Sequence, residues 1–147
     1  IYAAGSVAGH FSYPLIGPYC VSKHALRSMF DSWYFEASFQ NIQFCHISLG
    51  PVQTPFWEKS RRGHFEPNHK FSISRDAFIQ ISRQIESRAL TIDSVVHRLW
   101  KSLSKKKLPK DWVLVKNILF DYYLIKIIPL GIRKAVISKL LQFPKSR

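Results

Sequence analysis

Ser6, Tyr19 and Lys23 stand in one short stretch, GSVAGHFSYPLIGPYCVSK, residues 5–23. The tyrosine follows the serine by thirteen positions, and the lysine follows the tyrosine by four. On a helix, residues four apart share a face and lie about 6 Å from each other along the axis. A free phenol titrates near pH ~10, so it is a poor base at neutrality. An ammonium roughly 7 Å away, at an effective dielectric near 20, favours the phenolate by about 2 kcal/mol. That is a little under two pKa units, so a second positive charge would have to supply the remainder. A serine hydroxyl beside the phenol would hydrogen-bond the substrate oxygen whose proton the tyrosine gives or takes.

These residues need elements that hold them. Residues 1–4 read as the end of a strand, and a loop rich in Gly and Pro follows. From Tyr19 to Phe39 no Gly or Pro intervenes, and Val21, Ala25, Met29, Trp33 and Ala37 recur at helical spacing, so a helix is expected. Residues 42–49 read as a second strand, closed by Gly50-Pro51. Residues 55–75 are irregular and basic around Arg61-Arg62-Gly63, which suggests a mobile loop or short helices. Helical spacing returns over residues 76–89 through Phe78, Ile81 and Ile85. Thr91 or Asp93 caps another expected helix reaching Leu103, with Val95, Val96, Leu99 and Trp100 on its inner face. Residues 111–115, DWVLV, read as a third strand, and the chain from Lys116 onward as apolar, basic and helical. Strands separated by helices imply a parallel sheet with helical crossovers, an α/β fold.

The serine, the Tyr-x-x-x-Lys pair and the run LGPVQTPF after the second strand form a far more specific pattern together than any one of them alone. SVAG, PYCVSKHAL and GPVQTPFWEKS resemble the short-chain dehydrogenase/reductase family, in its retinol and hydroxysteroid dehydrogenase branch. The resemblance implies a Rossmann-like doubly wound parallel sheet, of which residues 1–147 are the C-terminal half. It implies NAD or NADP as cofactor, with an oxidised nicotinamide ring as the second positive charge. Ser6 would polarise the substrate oxygen, Tyr19 would be the general acid/base, and Lys23 would lower the tyrosine pKa and hold the nicotinamide ribose. Gly50, Pro51 and Val52 would line the nicotinamide, with Thr54 bonding its carboxamide or the phosphates. Leu49 departs from the proline that the family commonly carries before that glycine. The G-x-G-x-x-G phosphate loop, the residue that selects NAD or NADP and the catalytic asparagine do not occur here, and GSVAG lacks the spacing to replace the loop. The expectation is therefore one domain, residues 1–147, carrying the catalytic and substrate-binding part without the part that binds the dinucleotide phosphates.

The 147 residues are 46% hydrophobic and 14% aromatic, enough for a folded core. Cys20 and Cys45 lie in apolar patterns and read as reduced core thiols, consistent with the cytoplasm. Cys20 with His24, and Cys45 with His46, fall short of the converging ligands a zinc site needs, so no metal is expected. Ser6 with His10 lacks the nucleophile-elbow spacing of a hydrolase.

The formal charge is +13. The basic groups at Arg61-Arg62, Lys105 to Lys107 and Lys145 to Arg147 are separate, without clustered aromatics, which argues against nucleic acid. Residues 112–132 are interrupted by Lys116, Asp121, Lys126 and Pro129 and do not make a membrane span. The stretch from Lys116 to Arg147 is instead expected to wall a pocket for a lipophilic substrate and to touch a membrane surface peripherally. Phe30, Trp33, Tyr34 and Phe35 exceed what one sheet-facing stripe can bury, and the family resemblance implies a homodimer through this helix. The competing expectation is a basic, non-enzymatic membrane-surface or interaction module on a dehydrogenase-like scaffold.

Overall fold

The computed structural model describes residues 1–62, 72–103, 105, 107 and 109–143. Three strands carry the architecture: β1, Tyr2–Ala4; β2, Cys45–Leu49; and β3, Asp111–Leu114. They pair in parallel in the order β1-β2-β3, with Tyr2 opposite Cys45 and His46 opposite Asp111. Between them run α1, Gly17–Glu36, then α2, Phe56–Arg61, α3, Ser72–Ser87, and α4, Ile92–Leu103. After β3 come a π-helical segment, Leu119–Leu124, then α5, Ile125–Ile127, and α6, Leu130–Leu140. The parallel strands with helical crossovers are those of an incomplete Rossmann-like α/β fold.

The pleat divides the sheet into two faces. On one, Phe30 of α1 packs with Ala3, Phe44, Ala37 and Leu26. On the other, Cys45, Ile47 and Leu114 are buried, with Leu99 of α4 packed against them. Helices therefore cover both faces, which is why β2 is buried over most of its length. A third cluster of Val7, Phe11, Val115 and Tyr122 joins the loop after β1 to the chain beyond β3.

Local signals explain most boundaries. Pro18 sits in the first turn of α1, where its missing N–H is no loss. The Thr91 hydroxyl caps α4 by accepting from Ser94 N–H at 3.2 Å. Pro129, at the N-cap position, starts α6.

The apolar spacing of α1 marks a helix as expected, and its Val21, Met29 and Trp33 are 69%, 40% and 40% exposed. The inward face instead carries Cys20, Lys23, Arg27 and Phe30, because polar partners wait on the sheet. Two expectations, the inner face of α4 and the start of β2, need correction. On α4, Val95 is buried while Val96 and Trp100 are exposed, since only one narrow stripe meets the sheet. β2 starts at Cys45 and not at residue 42, because Asn41 turns the chain with a left-handed φ of 54°. Within residues 55–75 the short helix α2 forms, one of the two forms expected there, with Glu58–Arg62 and Arg61–Glu86 ion pairs holding it and α3. Gly63 to residue 71 and the basic tail at 144–147 lie outside the described residues.

Candidate functional site

β1 ends at Ala4, and Ser6 caps the single 3₁₀ turn Val7–Gly9 that follows. The Ser6 side-chain oxygen accepts the Ala8 N–H at 3.1 Å. Its own O–H therefore remains a donor. Gly9 brings this turn against α1: a Cβ there would stand 2.8 Å from the Lys23 carbonyl oxygen. No side chain larger than hydrogen allows that approach.

Tyr19 lies in the first turns of α1, and Lys23 follows one turn later on the same face. Lys23 Nζ donates to Ala4 O at 3.4 Å and sits 5.7 Å from the centre of the Tyr19 ring. The other neighbour of that ring is Phe56, 5.0 Å away between centroids. Phe56 opens α2, so the turn after β2 is drawn to the tyrosine. Within that turn Gly50 N–H donates to Leu114 O at 2.8 Å. The Pro51 carbonyl accepts from Leu90 N–H, Val52 O accepts from the Trp57 indole at 2.7 Å, and Thr54 O accepts from Trp57 N–H. Ser6, Tyr19, Lys23 and residues 50–54 thus gather at the carboxyl ends of β1 and β2, the end of a parallel sheet where ligands bind. Among the described residues no hydrogen bond joins Ser6 to Tyr19.

Beneath this lies a cluster the sequence reading missed. His46 and Ser48 project from the α1-facing side of β2, and Asp111 opens β3 beside them. Arg27, one turn beyond Lys23, places Nη1 2.6 Å from Asp111 Oδ2 and 2.6 Å from His10 Nε2. Ser48 donates to Asp111 Oδ1 at 2.7 Å, and His46 Nδ1 lies 3.2 Å from the same oxygen. Tyr122 reaches in from the far end of the chain, 3.0 Å from His10 Nδ1. A guanidinium can only donate, so His10 Nε2 must accept and Nδ1–H donates to Tyr122. On His46 the proton belongs on Nδ1, facing its acceptors, which leaves the buried Nε2 lone pair against Gly5 without a partner.

The electrostatics agree. Burial pushes the Asp111 carboxyl up, but hydrogen bonds from His46, Arg27 and Ser48 outweigh it and hold the group well below the usual carboxylate range. Burial, with the Arg27 charge beside it, lowers the His10 imidazole from 6.5 to about 4. His10, His46 and Asp111 present ligand atoms within 4.8 Å of one another. Arg27 supplies a positive charge among them, so that the cluster forms an ion-pair network. The legible signal was the CHISL pattern of β2, which puts two polar side chains on one face of an apolar strand. Nothing near His10, Arg27 or Asp111 in sequence joins them. Cys20 and Cys45 are free and buried, and His24 Nδ1 lies 2.9 Å from Cys20 O rather than turning to a metal.

Residues 1–64 match the family model described as short chain dehydrogenase. An NADPH-dependent 3-dehydrocapnine reductase from Ornithobacterium rhinotracheale is 29% identical over 119 residues, 78% of this chain and 41% of that protein. Dehydrogenase/reductase SDR family member 7 from Mus musculus is 37% identical over 84 residues, 51% of this chain and 25% of that one. A probable short-chain type dehydrogenase/reductase, VdlC, from Helicobacter pylori is 40% identical over 60 residues, 41% of this chain and 22% of its own length. The chain therefore spans well under half the length of these curated relatives.

Proposed function

We propose that this chain is a member of the short-chain dehydrogenase/reductase family and the catalytic part of an NAD(P)-dependent oxidoreductase interconverting an alcohol and a ketone or aldehyde. The observation that carries the reading is the Tyr19 ring, with the Lys23 ammonium 5.7 Å from its centre and the ring of Phe56, after the 50–54 turn, 5.0 Å away. That contact makes one locus from the two motifs.

The donor set suits a nicotinamide nucleoside. The Lys23 ammonium would hold the ribose hydroxyls with Tyr19, while Gly50, Pro51, Val52 and Thr54 would line the ring and its carboxamide. When bound, the cofactor accepts or supplies the hydride. The chain's own residues handle the proton. The Ser6 hydroxyl, with its oxygen engaged by Ala8 N–H, keeps its proton to donate to the substrate oxygen. Tyr19 takes the alcohol proton in oxidation and returns one in reduction, and the neighbouring ammonium stabilises its phenolate. The printed name of the bacterial relative supports NADPH as the first cofactor to test. The seat of the dinucleotide phosphates is assigned to residues outside these 147, since no G-x-G-x-x-G run occurs among them.

The substrate is proposed to be lipophilic, of steroid, retinoid or lipid-like character. The apolar chain after β3, with Phe120, Tyr123 and Ile127 exposed, supports this. Exposed Val21, Met29 and Trp33 on the outer face of α1 support a homodimer formed through that helix. The two free, buried thiols support a reducing compartment such as the cytoplasm.

The test is Tyr19→Phe in the full-length enzyme, assayed with NADPH and NADH against a panel of steroid and retinoid alcohols and ketones. Turnover is expected to fall by ~100-fold or more while cofactor affinity stays within about threefold. Near-normal turnover in that variant would remove Tyr19 from the chemistry and the reading with it.

A further inference from the structure

The chain beyond β3 is anchored at both ends yet turns an apolar side outward. At one end Tyr122 is buried in the His10 cluster. At the other Leu141 is buried, and Ser74 of α3 reaches Gln142 O at 3.5 Å. Between these anchors neither α5 nor α6 has a buried residue. Phe120, Tyr123 and Ile127 are 59%, 47% and 77% exposed. On α6, Ile132, Val136 and Leu140 follow one another at four-residue spacing, a single stripe on the helix, each more than half exposed.

Cations accompany this apolar surface. Residues 116–143 hold five of them, Lys116, Lys126, Arg133, Lys134 and Lys139, against one acid, Asp121. Asp121 is turned inward to accept Asn117 N–H at 2.8 Å. Lys139 stands next to the Ile132–Val136–Leu140 stripe at its edge, and Lys134 is exposed on the same helix.

We propose that this segment docks on the surface of an anionic phospholipid membrane, α6 lying in the interface. Aliphatic and aromatic side chains enter the headgroup–acyl boundary while lysines meet the phosphates, which is what such a surface rewards. Among the described residues no helix is long and apolar enough to cross a membrane, so the contact is peripheral. A second copy of this chain is a poor occupant. Its partner face would be equally basic, and Asp31, Glu58, Glu86 and Asp111 are each already held in ion pairs. This docking does not depend on the dehydrogenase chemistry, so its test is separate from that of Tyr19.

The experiment is co-sedimentation of the full-length protein with phosphatidylcholine vesicles, with and without about one-third phosphatidylserine. Binding should require the anionic lipid and weaken with salt. Lys126→Glu with Lys139→Glu should weaken it by ~30-fold or more. Ile132→Ser with Val136→Ser should also abolish it while leaving the circular dichroism spectrum in place, since neither side chain is buried. Absence of binding to anionic vesicles overturns the proposal. So does binding that both double variants leave unchanged. A fall in oligomer size by sedimentation velocity in the apolar variant, with vesicle binding intact, assigns the stripe to a second copy instead and likewise overturns it.

Discussion

His10 shows how one residue ties chemistry to stability. Its imidazole accepts from Arg27 and is lowered from 6.5 to about 4 by burial and that neighbouring charge. In the unfolded chain it titrates near its ordinary value. Between those two pH values the unfolded state binds a proton that the folded state refuses. Stability therefore falls as pH drops through that window, by as much as about 3 kcal/mol. Asp111 acts in the same sense but lower. Its depressed folded pKa stabilises the fold above the ordinary carboxyl value of 3.8, and that contribution is lost only as the pH falls below it. The urea midpoint of the wild type is thus expected to drop more between roughly pH 7 and pH 4.5 than that of His10→Gln. Equal drops in the two proteins would show that the titrating group lies elsewhere.

At the scale of elements, the decisive contact joins a turn to a helix. Ser6 is positioned by the Val7–Gly9 turn, and Gly9 lets that turn touch the α1 backbone at Lys23. A methyl group there would meet backbone, which cannot rotate aside as a side chain can. Gly9→Ala should therefore destabilise by about 1–3 kcal/mol and, by moving Ser6 from Tyr19, lower turnover more than it changes cofactor binding. Gly17→Ala is the matched control: it is the first residue of α1 with nothing within 4 Å of the added atom. It should be neutral or stabilising, by up to about 1 kcal/mol. Urea unfolding with turnover, measured on both variants, checks the pair. Similar losses in both would mean that close approach at Gly9 is not what positions Ser6.

For the molecule as a whole, the family match covers residues 1–64, which hold the catalytic pattern and the turn after β2. The remainder, with α3 to α6, carries the surfaces proposed for substrate and membrane. Cofactor affinity rests on a pyrophosphate seat at a helix N-terminus after a glycine-rich turn, and these 147 residues lack that motif. Residues 1–147 alone are expected to bind NADH and NADPH more weakly than about 1 mM. Fluorescence transfer from the four tryptophans to the reduced nicotinamide provides the measurement. Micromolar binding would place a complete cofactor site within this chain.

The sequence alone determined the α/β class, the three strands and the start of α1 within two residues. These are local matters. Gly-Pro punctuation, helical spacing and a four-residue interval on one helix are written in neighbouring residues. The tertiary structure decided which side of α1 faces inward, which helical spacing alone does not fix. The sheet settled it by offering Ala4 O to Lys23 and the Asp111 carboxylate to Arg27. The Arg27–Asp111 pair, 84 positions apart in sequence, could not be read at all. Its partners are neighbours only after β2 and β3 align in parallel, and a buried charge reveals its counter-ion through burial, which local sequence does not encode.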